Sequence, residues 1–483
     1  MRLRTVLYLL GVLTTLFSVF MLPPMAVGWW YGDGEITPFA AAFAIMLGGG
    51  LAVWYPVRGR LPEIRGVDGF LIVTLFWVAL CLLGAVPLML SDRPHMRLVD
   101  AFFEATSGLT TTGASVLSGI DALPHSISYY RMQLCFMGGM GIVVLAVALL
   151  PMLGIGGMQL YRAETPGPMK EDKLTPRITE TAKNLWIVYV ALNVACAVAF
   201  WVAGMDAFDA VGHAFSTLSL GGFSTHDASI GYYDSAAVEV VAGLFTLVAG
   251  VNFALHFLAW RSLSVRVYLR DPEFQLYLWV MGILIAITCL ALYLSGTFPL
   301  WESVYHGFFQ APSIIADNGL VTIGYPAQWP IFVVLMLMLG SFFGGCAGST
   351  GGAIKAIRFL LLFRQSVREV KLLIHPRANF AIKFGNRTVE ERVMTAVWGF
   401  YFLYLFAYCM FSMALIAVGV DVMTAFGSVA GCMNNMGVGV GETASNFGGL
   451  NDTAKWLLSA SMLVGRLEVF PILMLFYPGF WRR

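Results

Sequence analysis

Long apolar runs recur along the whole chain and limit it to a fold that lies within a membrane. About 20 apolar residues are needed to cross the hydrocarbon core as a helix, and ten runs approach or exceed that length. The first run ends near Pro23, and the others cover approximately residues 36–55, 69–91, 127–153, 184–204, 236–260, 275–296, 329–363, 393–419 and 454–480. Only 12% of the residues are charged, too few to cover a soluble surface. The sequence therefore predicts an all-α integral membrane protein.

Basic residues divide the predicted loops into two sides. Nearly all of the 29 Lys and Arg residues fall in the loops of one side, which the positive-inside rule places in the cytoplasm. Both termini are then cytoplasmic. The opposite loops are rich in carboxylates, which would concentrate cations. The formal net charge of +1 indicates no nucleic-acid partner.

Four short segments of the outer side share one pattern. Each is too short to cross the membrane and too apolar for an ordinary loop. They align on a glycine, with Ala or Gly twelve residues earlier and Ser or Gly six residues earlier. The segments are 101–114, 210–223, 307–320 and 425–438, and the glycines are Gly113, Gly222, Gly319 and Gly437. The repetition predicts a unit made of a span, a half-helix, an extended stretch and a second span.

This unit suits a pore. A half-helix of about ten residues is only ~15 Å long, so the chain must return outward through an extended stretch. Such backbone is tolerated at membrane depth only where it faces protein or water. Four stretches around one axis would direct carbonyls at a cation and replace its hydration shell. The alternative is four hairpin loops packed on the outer surface, with glycines that only form turns.

With this repeat, the chain resembles the Trk/Ktr/HKT superfamily of potassium transporters. The matching motifs are Thr110–Ala114, Leu220–Thr225, Asp317–Leu320 and Asn435–Gly439. The resemblance implies four pseudosymmetric M1–P–M2 repeats (span, pore half-helix, filter strand, span) around one pore, and a homodimer with one pore per subunit. Two additional N-terminal transmembrane helices fit the Trk type and not the shorter Ktr type. The expected units are 1–65 for those helices, and 66–160, 161–270, 271–375 and 376–483 for the repeats.

The resemblance implies potassium uptake across the bacterial cytoplasmic membrane, with K⁺ as the transported ion and no covalently bound cofactor. Only the first motif has a run of threonines, so a monovalent cation is better supported than sharp discrimination against sodium. In the third motif the register is open by one residue. The expected ion-binding residues are Thr111, Thr112, Gly113, Leu220, Gly221, Gly222, Asn318, Gly319, Asn435, Met436 and Gly437.

A glycine-rich run inside the eighth predicted span suggests a gate. The apolar stretch before it, 329–343, is only ~22 Å long as a helix, so the glycines fall within the membrane. Each glycine costs a helix about 1 kcal/mol. We expect an intramembrane loop beneath the filter, and the alternative is a simple hinge. No Gly-Lys-Ser/Thr follows, which argues against a nucleotide-binding loop. The expected gate residues are Gly345, Gly348, Ser349, Thr350 and Gly351.

Arg466 lies near the middle of the last predicted span, where a charge is costly. We expect it to face the pore beneath the filter and to raise the barrier to cations. The alternative is a structural contact with carbonyls at a helix end. Glu468 points to a different face of the helix, so a local ion pair is not expected.

The segment 355–392 is basic and is predicted to be cytoplasmic. Such a segment ordinarily meets anionic membrane lipid. The resemblance implies docking of TrkA, a cytosolic regulatory ring, so that NAD or ATP/ADP would act only through that partner. Segment 162–183 is a second candidate for the same contact.

The main alternative function is a cation-coupled secondary transporter with alternating access. The sequence leaves open whether potassium enters alone or in symport with protons or sodium. An enzyme is not expected, because no convergent acid, base and nucleophile and no GxSxG motif are present. The seven cysteines lie in apolar stretches and suggest neither a zinc site nor a disulfide framework.

Overall fold

A computed structural model describes residues 3–59, 66–141, 178–385 and 387–478, and almost all regular structure in them is helical. This confirms the helical prediction. The α-helices are Leu3–Ser18, Leu22–Tyr31, Ile36–Trp54, Gly66–Leu90, Leu98–Leu109, His125–Phe136, Ile178–Val202, Ala207–Ser219, Ala236–Ala249, Phe253–Ser262, Arg266–Arg270, Pro272–Leu294, Leu300–Ile315, Ile331–Gly340, Ala356–Ile374, Glu391–Ala417, Val422–Met433, Asp452–Arg466 and Phe470–Phe476. A π-helical turn, Met137–Gly141, continues the sixth helix. The strands Lys383–Phe384 and Arg387–Thr388 form one antiparallel hairpin.

Several helices are suited to a bilayer. Six helical segments of the described residues are long and apolar enough to cross a membrane. They are Arg4–Tyr31, Ile36–Val57, Leu71–Leu90, Lys183–Val202, Pro272–Leu294 and Glu391–Ala417. Each coincides with one of the ten predicted spans, which confirms the prediction of a membrane protein with several apolar helices.

Three further predicted spans are not single straight helices. The sequence pattern of 236–260 predicted one span, but its helices Ala236–Ala249 and Phe253–Ser262 meet at an angle of 93°. The span predicted at 329–363 stops at Gly340 and resumes at Ala356. The span predicted at 454–480 is likewise broken after Arg466. The remaining span, 127–153, is described only as far as residue 141.

The 93° bend is tolerated because hydrogen bonds satisfy backbone groups that it frees. At the 93° bend the carbonyl of Gly250 accepts the amide of Cys346 at 2.7 Å, and the amide of Phe253 donates to Gly348 at 3.1 Å. Asn252 caps the second helix by accepting the amide of Ala254 at 2.8 Å. The bend is therefore built jointly with the glycine-rich loop.

Four short helices end inside the protein and are called half-helices 1 to 4 here. They are Leu98–Leu109, Ala207–Ser219, Leu300–Ile315 and Val422–Met433, of 12, 13, 16 and 12 residues. At a rise of 1.5 Å per residue they are about 18–24 Å long, shorter than the ~30 Å hydrocarbon core. Asp206 and Asp421 cap the second and the fourth by accepting amide hydrogens of the first turn. Each half-helix forms the first part of one of the four aligned segments and ends shortly before its glycine. The stretch around that glycine is called the glycine segment here.

Candidate functional site

The four glycine segments share one backbone conformation. In each, the residue two positions before the aligned glycine and the glycine itself have positive φ, the left-handed region that L-residues avoid. The φ values before the glycines are 54° at Thr111, 54° at Leu220, 66° at Asp317 and 60° at Asn435. At Gly113, Gly222, Gly319 and Gly437 they are 82°, 67°, 76° and 82°. The alignment made from residue types therefore describes a repeated conformation.

One hydrogen bond also recurs in all four segments and turns the chain back at the end of each half-helix. The amide just before the aligned glycine donates to the carbonyl six residues before that glycine. The pairs are Thr112 to Ser107, Gly221 to Ser216, Asn318 to Ser313 and Met436 to Gly431, each at 2.8 Å. The Ser/Gly column of the sequence alignment is thus the position at which each chain reverses.

The serines of that column have an additional role in two segments. The hydroxyl of Ser216 donates to the carbonyl of Phe223, and that of Ser313 donates to Leu320, both at 2.5 Å. In the fourth segment a Cβ atom on Gly431 would lie 2.5 Å from the carbonyl oxygen of Val438. The backbone there is too close for a side chain, which explains the glycine.

The aligned glycines contact one another's segments in a closed ring. A Cβ atom on Gly113 would lie 2.7 Å from the Cα of Gly222, and one on Gly222 would lie 2.7 Å from the carbonyl oxygen of Asn318. A Cβ on Gly319 would collide with the carbonyl oxygen of Met436. A Cβ on Gly437 would collide with the carbonyl oxygen of Thr112. The order around the ring is therefore 1, 2, 3, 4 and back to 1.

This ring brings all of the predicted ion-binding residues into four adjoining segments. The side chains of Thr111, Thr112, Leu220, Asn318 and Asn435 have no exposed surface, whereas Gly113, Gly222 and Gly319 are partly exposed. Four separate hairpins on the outer surface do not account for this burial or for the contacts between the segments. The binding of an ion at these residues remains a prediction.

Side chains in the segments are tied to the surrounding helices rather than left free. Asn435 donates from Nδ2 to the hydroxyl of Thr112 at 2.9 Å and to the carbonyl of Met462 at 3.1 Å. Asn318 donates to the hydroxyl of Thr246 at 2.6 Å. Such bonds hold the extended backbone in place, so the carbonyl oxygens are preorganised.

A buried ion pair that the sequence reasoning missed supports the first two segments. Nε of Arg131 lies 2.8 Å from Oε1 of Glu104, and neither side chain is exposed. Arg131 also donates to the carbonyl of Ser224 at 3.1 Å and stacks over the Phe223 ring at 4.3 Å. Arg131 lies inside the sixth helix. The signal was an arginine within an apolar run.

The glycine-rich loop between Gly340 and Ala356, here called the gate loop, lies against the inner ends of the half-helices. The hydroxyl of Thr350 donates to the carbonyl of Leu218 at 3.0 Å. A Cβ on Gly351 would lie 3.0 Å from the carbonyl oxygen of Ala316, and one on Gly352 would collide with that of Asn434. The loop thus contacts the ends of half-helices 2, 3 and 4. Of the predicted gate residues, Gly345 and Gly348 instead face the 93° bend.

Glu273 binds the middle of the gate loop and the start of the helix that follows it, and it was also missed by the sequence reasoning. Its Oε1 accepts the amide of Ala347 at 2.6 Å and that of Ile357 at 3.1 Å, and only 4% of the residue is exposed. Position 273 follows a helix-starting proline, where an acidic residue is common. No sequence signal indicated that its carboxylate turns inward.

Arg466 connects the gate loop to the first segment. Its guanidinium donates to the carbonyl of Thr350 at 2.8 Å and to the hydroxyl of Thr111 at 3.1 Å. It also donates to the carbonyls of Gly138 and Gly139 in the π-helical turn at 2.6 and 2.9 Å. Arg466 therefore lies between the first glycine segment and the gate loop, and it makes the carbonyl contacts of the alternative interpretation.

The structure corrects the predicted position of Arg466 and gives Glu468 a partner on another helix. Arg466 ends its helix, since Glu468 and Val469 have positive φ, and does not lie in the middle of a continuous span. Glu468 pairs with Arg358, with Nη2 and Oε2 2.5 Å apart. The carboxylate thus pairs with the helix Ala356–Ile374. Because Glu468 lies beyond the end of its own helix, the predicted position on a different helix face does not apply.

Two residues of the predicted basic docking segment are not on the surface. Lys355 and Arg358 are only 3% and 6% exposed. The Lys355 ammonium donates to the carbonyl of Gly351, and Arg358 donates to that of Ile354 at 2.8 Å. Their inclusion in a docking surface was wrong, because their positive charges serve the gate loop. Residues 162–177 of the second candidate segment lie outside the described residues.

On the outer side, His226 joins the first and second segments. Its Nδ1 is 2.5 Å from Asp121 Oδ1, and its Nε2 is 2.9 Å from Asp209 Oδ2. Desolvation alone would raise the pKa of Asp121, but hydrogen bonds from His226 and from the Asp227 amide outweigh it and lower that pKa. Desolvation and the neighbouring Asp121 raise the pKa of Asp227. The stretches around Asp121, Asp209 and His226 are therefore acidic and linked by hydrogen bonds.

The similarity to known proteins extends along the whole chain. A family model described as TrkH, cation transport protein, matches residues 36–482. The chain belongs to this family. TrkH of Escherichia coli K12, a Trk system potassium uptake protein, is 49% identical over 483 residues, which cover all of both chains. TrkG of the same organism is 45% identical over 479 residues, or 99% of each chain.

A solved structure agrees with this assignment. The crystal structure of the potassium transporter TrkH from Vibrio parahaemolyticus superposes with a TM-score of 0.91 at 46% identity and covers 100% of both chains. The resemblance drawn from the motifs is confirmed for the TrkH family. Members of this family transport cations, so the prediction that the protein is not an enzyme is also confirmed.

Proposed function

We propose that this TrkH family protein takes up potassium across the bacterial cytoplasmic membrane through a filter of backbone carbonyls. The observation that supports this most is the closed ring of four glycine segments, each with the same pattern of positive φ. A ring of oxygens from four segments replaces the hydration shell of an alkali cation. The uptake named for the relatives is consistent with potassium as the ion.

In this proposal the eleven predicted residues, from Thr111 to Gly437, line the filter. The C-terminal ends of half-helices 1 to 4 point their partial negative charge toward it and favour a cation there. Residues 66–160, 161–270, 271–375 and 376–483 act as four M1–P–M2 repeats, and 1–65 contributes two N-terminal helices. Both termini face the cytoplasm, and two subunits form a homodimer with separate pores.

The gate loop and Arg466 control the pathway below the filter. The loop contacts three half-helix ends, and the guanidinium adds a positive charge near Thr111. A cation that leaves the filter meets both. Opening requires the loop to move from beneath the filter, and we propose that a cytosolic TrkA ring that binds NAD or ATP/ADP drives this motion. The exposed part of segment 364–392 is the proposed contact for that ring and for anionic lipid.

Tracer flux tests the function. Full-length protein is reconstituted in vesicles, and uptake of ⁸⁶Rb⁺ is measured against competing potassium, sodium and lithium. A pore predicts flux that rises with the driving force and is suppressed by potassium more than by sodium or lithium. Saturable uptake that requires a proton or sodium gradient would instead support the secondary transporter. Absence of any cation flux would refute the proposal.

Deletion within Gly345–Gly351 tests the gate, with correct folding checked by elution as a single species. Greater flux in the absence of the cytosolic partner is expected, because a shorter loop no longer reaches the half-helix ends. Unchanged flux would leave the loop as a hinge. Arg466→Ala is also expected to raise flux, because it removes the positive charge near Thr111. Flux equal to the wild type in that variant would contradict the role of Arg466 as a barrier.

A further inference from the structure

Asp317 differs in charge from the residues at the equivalent position of the other three segments. It stands two residues before Gly319, the position that Thr111, Leu220 and Asn435 occupy in the other segments. Of these four residues it alone carries a formal charge. Because the segments follow one another around the ring, Asp317 lies across from the first segment, where Arg466 binds Thr111. The first segment thus binds a guanidinium, whereas the third carries a carboxylate at the equivalent position.

The carboxylate of Asp317 is buried without a hydrogen-bond donor. The residue has no exposed surface, and neither Oδ1 nor Oδ2 has a hydrogen-bond partner among the described residues. Other buried carboxylates are satisfied: Glu104 by Arg131, Glu239 by His306 and Thr322, and Glu273 by two amides. A buried charge without a partner is strongly unfavourable, so this carboxylate requires a cation or a proton.

Glycines and main-chain oxygens of the gate loop and of the end of half-helix 3 surround this carboxylate. Oδ2 of Asp317 would lie 3.2 Å from a Cβ on Gly344 and 3.7 Å from one on Gly351, so these glycines keep the space beside it free of side chains. The carbonyl oxygens of Ala316 and Gly352 border the same positions, 3.0 Å from a Cβ on Gly351 and 3.2 Å from one on Gly344. Carboxylate and carbonyl oxygens are the ligands that hard cations prefer.

Lys355 is the nearest basic residue that influences Asp317 electrostatically. Its ammonium nevertheless donates to the carbonyl of Gly351 and forms no hydrogen bond with the carboxylate. The positive charge of the lysine favours the ionised form of the carboxylate, and its hydrogen bond to Gly351 leaves the carboxylate oxygens available to a ligand. Its position beside Gly351 also means that movement of the gate loop changes the distance between the two charges.

We propose that Asp317, together with carbonyls of the gate loop, binds a monovalent alkali cation immediately below the filter. This inference rests on the proposed function, since the ion that occupies the site is the one that leaves the filter. The site holds the partly rehydrated ion on the side of the pore opposite Arg466. It also couples ion occupancy to the gate loop, because the loop supplies part of the site.

Rb⁺ is a probe for this site, because its anomalous scattering locates it in crystals of the full-length protein. The wild type is expected to show peaks in the filter and one beside Asp317. Asp317→Asn keeps the shape and removes the charge, so the lower peak is expected to disappear while the filter peaks remain. Glu239→Gln is the matched control, because it neutralises a buried carboxylate that is already paired, and it is expected to keep every peak.

The outcomes separate this inference from the proposed function. Wild-type crystals with filter peaks and no peak at Asp317 would overturn the inference alone, whereas crystals without filter peaks would count against the proposed function. Flux gives a second measurement: Asp317→Asn is expected to raise the Rb⁺ concentration for half-maximal uptake several-fold. Uptake equal to wild type would mean that the carboxyl is simply protonated. Asp317→Glu, which retains the charge, is expected to restore part of the affinity, and failure to do so would also count against the site.

Discussion

A side chain at Gly319 would collide with the neighbouring segment, so a substitution there tests the geometry of the proposed filter separately from backbone strain. Gly319 has a φ of 76°, and a Cβ there would collide with the carbonyl oxygen of Met436. Gly296, after the helix Pro272–Leu294, has a similar φ of 69°, but a Cβ there meets nothing within 4 Å. Gly319→Ala and Gly296→Ala thus carry a similar backbone cost, and only the first displaces a carbonyl of the ring.

The magnitude follows from two separate terms. Left-handed backbone costs an alanine roughly 1–2 kcal/mol, which applies to both variants. Insertion of a methyl group into closely packed backbone costs about 1–3 kcal/mol more, and applies to Gly319→Ala only. If displacement of the Met436 carbonyl raises the barrier to ion passage by this additional term, flux falls roughly 5- to 150-fold, because about 1.4 kcal/mol corresponds to a tenfold change in rate.

The assay is ⁸⁶Rb⁺ uptake into vesicles with equal amounts of each variant, and the unfolding temperature in detergent monitors folding. Gly319→Ala is expected to transport far more slowly than Gly296→Ala and to discriminate less between potassium and sodium. Gly296→Ala is expected to match the wild type. Equal flux and selectivity in the two variants would refute the idea that the Met436 carbonyl contributes to the ion pathway.

Three further substitutions test the supporting structure. Arg131→Met leaves Glu104 buried without its partner and is expected to lower the free energy of unfolding by about 3–5 kcal/mol, measured by denaturation in detergent. Glu273→Gln weakens the acceptor that binds the amides of Ala347 and Ile357, so higher ⁸⁶Rb⁺ flux in the absence of any cytosolic partner is expected. Gly431→Ser restores the residue found in the other three segments, yet it is expected to abolish flux, because the backbone oxygen of Val438 leaves no room.

Each of these variants has a matched control. For Arg131 it is Arg97→Met, since Arg97 is 64% exposed and its ion pairs with Asp100 and Asp452 are screened by water. Equal stability of the two arginine variants would contradict the importance of the buried pair. Glu369→Gln removes an exposed carboxylate on the helix that follows the gate loop, and should leave flux unchanged. Gly449→Ser lies in open space and should transport normally, so a loss there equal to that of Gly431→Ser would show a general intolerance of serine.

Local sequence patterns predicted the helices and the repeat because both depend on local chemistry. Each of the six helices long enough to span follows an apolar run, whose burial depends on the residues themselves. The aligned glycines predicted positions with unusual backbone conformation, since only glycine adopts positive φ without strain. The Ser/Gly column at Ser107 and Gly431 also emerged from residue types alone, although its role as the point of chain reversal did not.

Long-range contacts decided the parts that the sequence did not predict. Hydropathy gave no sign of the 93° bend, because the bend is stable only where Cys346 and the carbonyl of Gly348 satisfy its backbone. The charge of Lys355 predicted a cytoplasmic position, but its ammonium donates to the carbonyl of Gly351 inside the protein.

Composition and periodicity established that this chain is a helical membrane protein with a repeated, glycine-centred turn, because those properties follow from neighbouring residues. Which segment adjoins which around the ring, the partners of Arg131 and Arg466, and the isolation of the Asp317 carboxylate were decided only by tertiary structure. These features depend on groups far apart in the chain, where the energy of a buried charge is set by what folding places beside it.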